Sequence, residues 1–130
     1  MAQNKENIVN DEDEIVKEEE IEAAKEEAEN TLSLFTIHFK KAITYNGKEY
    51  EELSFDFDTL TGADGLNIEN ELQSIGRPAV VPAFSGEYLI RMAAKACTTD
   101  KIGSDIFNIM RLSDYNKIRS AARSFLLRSE

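Results

Sequence analysis

Tryptophan is missing from this 130-residue chain, and cysteine and histidine occur once each. A lone thiol, Cys97, permits no internal disulfide, and the opening segment has no signal-peptide pattern. A reducing cytoplasm is therefore the expected compartment. No apolar run approaches the roughly 20 residues that a membrane helix needs, so no membrane partner is expected. One His and one Cys cannot build a typical structural zinc site. Basic residues are scarce too, with 15 Lys and Arg against 25 Asp and Glu. That balance argues against a nucleic-acid partner, because neutralising phosphates takes clustered Lys and Arg. It suits a soluble protein, or one that meets a basic partner.

The aromatic residues have their own gap. All seven Phe, all four Tyr, the His and the Cys lie after Thr31. Residues 1–30 carry twelve acids against three lysines, a net of −9, whereas 31–130 carry thirteen acids against twelve bases. The first segment reads as an acidic arm and the second as a single domain of about 100 residues, enough for a modest core. Glu, Lys and Ala favour a helix in the arm, and Asp13/Lys17 and Glu22/Lys25 sit at supporting spacings. Its apolar stripe of Ile21, Ala24, Ala28 and Leu32 is too thin to offset the entropy of ordering. An exposed helix from about Asp13 to Asn30, or disorder, is expected there.

After the break the period changes to two. Phe35, Ile37 and Phe39 alternate with Thr36, His38 and Lys40, and Leu53, Phe55 and Phe57 alternate with Ser54, Asp56 and Asp58. Between the runs stands Asn46-Gly47, a pair that tolerates the positive φ of a type I′ turn. An antiparallel hairpin follows. It needs a cover, and the remaining sequence reads as helices.

Thr61 and Asp64 form a capping-box pattern ahead of Ile68, Leu72 and Ile75, with an end near Gly76. Gly76 to Pro82 reads as an extended connection. Ser85 caps a helix striped by Tyr88, Leu89, Met92, Ala93 and Ala96. Ser104 caps a short helix with Ile106, Ile109 and Met110. Ser113 caps a last one with Tyr115, Ile118, Ala122, Phe125 and Leu126. The expected fold is α+β, a hairpin packed by three or four helices.

No catalytic, metal or cofactor site emerges. Cys97 and His38 are the candidate nucleophile and base, but Cys97 sits in an alanine-rich helix end and His38 on the polar side of a strand. Asp56-Phe57-Asp58 opens like a calcium loop, yet Leu60, Thr61 and Asn67 stand where oxygen ligands, the turn glycine and the closing Glu belong. Gly62-Ala63-Asp64-Gly65 lacks the ending of a phosphate loop. Lys117, Arg119, Arg123 and Arg128 read as a solvated helix face able to meet the acidic arm. An enzyme is not expected. Two apolar features remain, Val80-Val81-Pro82-Ala83-Phe84 and Phe125-Leu126-Leu127; most of these side chains are expected to finish the core, but surplus apolar surface on small domains often serves to hold partners.

The order of segments carries a family resemblance. Tyr45-Asn46-Gly47-Lys48-Glu49-Tyr50 in the hairpin is followed by Leu60-Thr61-Gly62-Ala63-Asp64 opening a helix. Then come Glu87-Tyr88-Leu89-Ile90-Arg91-Met92-Ala93-Ala94 and Leu112-Ser113-Asp114-Tyr115 leading to Phe125-Leu126. From Phe35 to Leu127 the chain resembles the small, Mu-like tail assembly chaperones of tailed bacteriophages and prophages. The acidic arm is not part of that pattern.

The resemblance implies a non-catalytic helper in the bacterial host cytoplasm. It would bind apolar segments of the tape measure protein and help recruit tail tube protein, with no cofactor. Val80, Val81, Phe84, Phe125, Leu126 and Leu127 are the candidate partner-binding residues. Self-association into a homo-oligomer stays open. The alternative is a small interaction or regulatory adaptor whose acidic arm docks on a basic partner or mimics nucleic acid.

Overall fold

Two strands and three α-helices make up the regular structure of residues 31–128, the part of the chain that the computed structural model describes. The expected acidic arm, 1–30, lies outside the described residues. Strand β1 spans Leu34–Tyr45 and pairs antiparallel with β2, Lys48–Asp56. A 3-10 turn at Phe57–Thr59 leads into α1, Gly62–Ser74. A second, Pro82–Phe84, precedes α2, Gly86–Ala96, and a third, Ser104–Ile109, precedes α3, Leu112–Arg128. The fold is α+β, a hairpin covered by helices.

The hairpin turns at Asn46 and Gly47, whose φ values of 51° and 77° are the positive pair that a type I′ turn requires. Pairing runs from Leu34↔Asp56 to His38↔Glu52 and resumes at Ile43↔Tyr50. Between these pairs, residues 39–42 of β1 stand opposite Glu51 alone. The irregularity has a consequence for the core. Alternation from Leu53 would turn Tyr50 outward, but the extra residues on β1 reset the register and both are buried. The sequence pattern ends β1 near Lys40, whereas the strand continues to Tyr45 because the bulge hides the second half of its alternation.

The helix signals mostly hold. Thr61 Oγ1 accepts from the Asp64 N–H and the Asp64 carboxylate accepts from the Thr61 N–H, a complete capping box. Gly76, at φ +73°, closes α1: its N–H reaches the Gln73 carbonyl and the Arg77 N–H reaches the Leu72 carbonyl. That is a Schellman ending. Ile75 consequently sits on the cap and is exposed, not on the buried face with Ile68 and Leu72.

The Ser85 hydroxyl accepts from the Tyr88 N–H and caps α2 as expected. Two other expected caps are displaced. Gly103 precedes the third 3-10 turn, which starts at Ser104, and Ile109 faces outward while Phe107 takes an inner position. Helix α3 starts at Leu112, with the amides of Asp114 and Tyr115 bonded to the Arg111 carbonyl, so Ser113 lies inside its first turn.

One core joins all elements. Leu53, Phe55, Phe57, Ile68, Leu72, Leu89, Ile106 and Ile118 are its largest fully buried side chains. Phe35, Phe55, Phe57 and Phe125 stack in a ladder with ring centroids 6.4, 6.4 and 5.5 Å apart, tying both strands to α3. After α2 the chain returns along the outer edge of β2. Cys97 bridges Phe55, the Thr98 N–H bonds the Ser54 carbonyl at 2.8 Å, and the Ser54 N–H bonds Thr99 Oγ1 at 2.9 Å. Part of an otherwise open strand edge is thereby satisfied.

Candidate functional site

The connection from α1 to α2 presents the most exposed apolar surface of the candidate residues, and local geometry explains why. Pro82 begins a 3-10 turn and forces Val81 into an extended conformation, φ −127° and ψ 103°. The turn points Ala83 inward, where it is buried, and Phe84 outward. Val80 is 94% exposed, Val81 49% and Phe84 72%. At the start of the connection Arg77 Nη1 lies 2.8 Å from Glu87 Oε1 on α2.

Arg123 joins this connection to α3. Its Nε donates to the Ala83 carbonyl at 2.9 Å, and its guanidinium lies 5.9 Å from the centre of the Phe84 ring. Arg119, one turn earlier, lies over the Tyr115 ring at 5.5 Å. Two of the four basic residues expected on a solvated face therefore hold structure instead.

The structure divides the six candidate partner residues. Val80, Val81 and Phe84 share the outward connection, and Leu127 is exposed one turn beyond Arg123 on the same side of α3. Phe125 and Leu126 turn the other way and are half-buried, Phe125 against Phe57. These two line a separate cleft of about 170 Å³ among α1, α2 and α3. Thr61 and Asp64 at the start of α1, together with Leu60, Gly65, Ile68, Tyr88 and Met92, form the rest of its lining. Sequence patterns did not expose this cleft, because its walls come from three helices that meet only in the fold.

Electrostatic contacts fasten the hairpin to the loop after α2. Asp100 accepts from Lys48 Nζ and from the Tyr50 hydroxyl, each at 2.9 Å. The Lys48 bond first, and Tyr50 next, holds the Asp100 carboxyl below its ordinary range, and the same bond raises Lys48. Tyr50 is raised mainly by loss of water and then by Asp100. Tyr45 donates to Asp105 at 2.7 Å, which raises the phenol.

The residues weighed for catalysis are not assembled. His38 faces Glu52 across the hairpin, with Nδ1 3.1 Å from Oε2, and both side chains are largely exposed. Cys97 lies against the opposite edge of β2 as a backbone partner of Phe55. Among the described residues no cluster of His, Cys, Asp and Glu could hold a metal ion. Also among them, no helix is long and apolar enough to cross a membrane. Comparisons with protein-family models, curated proteins and solved structures found no match.

Proposed function

We propose that the protein is a tail assembly chaperone of a tailed phage or prophage, working without catalysis in the bacterial cytoplasm. It holds apolar segments of the tape measure protein and helps bring tail tube subunits to them. One observation supports this reading above the others. Val80, Val81 and Phe84 stand in solvent on a connection that Ala83, Pro82 and Arg123 pin in place. Apolar side chains held outward on an anchored segment are available to a partner. An amphipathic helix laid on such a surface is a recurrent mode of recognition.

Two observations test the reading. The neighbouring DNA should carry a long tape-measure-like reading frame downstream and a tube protein upstream. Co-expression of that long protein with this chain should keep it soluble, and expression without the chain should leave it aggregated. Equal solubility in both cultures would reject the chaperone role.

A further inference from the structure

A second recess, of about 230 Å³, opens between α1, α2 and the loop that follows α2. Its charges do not balance. Arg91 and Lys95 line it from α2, one turn apart, and Glu71 lines it from α1. The other lining residues, Ala94, Ile102, Gly103 and Ser104, carry no charge, so two cations face a single anion. Asp105, the next carboxylate along the chain, is bonded to the Tyr45 hydroxyl at 2.7 Å. The positive excess is local, since residues 31–130 together carry thirteen acids against twelve bases.

The pairing inside the recess is also incomplete. Glu71 Oε2 lies 3.9 Å from Arg91 Nη1, and its Oε1 lies 3.5 Å from Lys95 Nζ. Arg91 Nε and Glu71 Oε2 are shut off from solvent, and neither has a hydrogen-bond partner among the described residues. A buried donor and acceptor left in this state cost more than a loose ion pair returns. Arg77 shows the matched arrangement in the same molecule, with Nη1 2.8 Å from Glu87 Oε1. The Arg91 side chain is still 24% exposed, which leaves it within reach of a ligand.

A planar guanidinium presents paired donors that fit the two oxygens of a carboxylate. One surplus positive charge matches one carboxylate, whereas a phosphate dianion would exceed it and be repelled by Glu71. Ala94 and Ile102 offer apolar contact to a stem that carries the group. We propose that this recess binds a single carboxylate on a short aliphatic stem, with Arg91 turning to hold it through Nε and one Nη while Lys95 supplies the second charge. The site does not depend on the 80–84 surface or on the chaperone reading.

The experiment is a titration of the full-length protein at constant ionic strength, followed by arginine Nε–H and backbone amide signals. The probes are acetyl-Ala-Glu-Ala-amide and propionate. A bound carboxylate should move the Arg91 Nε–H signal, identified by its loss in Arg91→Lys, and the amides of Ala94, Lys95 and Gly103. The neutral acetyl-Ala-Gln-Ala-amide should move none of them. Peptide binding about tenfold tighter than propionate assigns the site to an acidic side chain of a partner protein, and equal affinity assigns it to small free carboxylates. Arg91→Gln should abolish binding and Lys95→Gln should weaken it about fivefold, each with a melting temperature recorded to confirm folding. Glu71→Gln removes the competing carboxylate and should tighten binding about fivefold, a gain that a purely structural ion pair would not give. Absence of saturable shifts with either carboxylate at millimolar concentration would overturn the proposal. So would unchanged binding by folded Lys95→Gln and Arg91→Gln, or tighter binding of inorganic phosphate than of either carboxylate.

Discussion

Gly76 shows how much a single backbone angle decides. At φ +73° it lets the Arg77 and Gly76 amides turn back onto α1, and the next residues leave toward the exposed connection. Any side chain there is strained, so Gly76→Ala should lower stability by about 1–2 kcal/mol in urea denaturation. Leu72, fully buried one turn earlier, should cost more. Leu72→Ala is expected to lose about 2–5 kcal/mol, through lost transfer energy plus a cavity.

Asp100 gives the pH dependence its sign. Its folded value is below the usual 3.8, so its contribution is complete above that value and is lost as pH falls through the lowered one. Lys48 is raised above 10.5, so its share is complete below that value and is lost as pH rises through the raised one. Thermal melts should therefore fall off at both extremes. Asp100→Asn should lower the neutral melting temperature and flatten the acid limb, and an unchanged acid limb would show that this anchor carries no stability.

At the scale of elements, most starts and stops were legible because each rests on a local rule. Asn46-Gly47, the Thr61/Asp64 box, Ser85 and Gly76 all act within a few residues of themselves, and all appear in the structure as expected. Thr61→Ala should accordingly cost about 1 kcal/mol of stability. The unexpected features depend on distant partners. The bulge at 39–42 is set by pairing with β2, and it makes Tyr50 a core residue that alternation would expose. Ile75 and Ile109 matched a helical stripe, but the capped end of α1 and the tight 3-10 turn swing them outward. Cys97 reads as a small buried thiol in a helix, and its position on the edge of β2 follows only once the hairpin exists. The cleft is the extreme case, with walls from three helices.

For the whole molecule, the described core draws on residues between Ile37 and Ala122, and the exposed apolar segment sits within the same body. Removing residues 1–30 should therefore leave a cooperative melt and partner binding intact, whereas an adaptor that docks through its acidic arm would lose binding. Salt separates the two in a second way. Screening weakens contacts between exposed charges, so an arm-docked complex should dissociate at high salt, and an apolar one should largely persist.

The outward side of the 80–84 connection is proposed to hold the tape measure protein. Its most direct test is the affinity of the full chain for that protein when Val80→Asp and Phe84→Asp are introduced together. Both positions are exposed, so the variant should melt as the wild type does. It should release the tape measure protein. A folded variant that holds it at wild-type strength would overturn the proposed role of this connection.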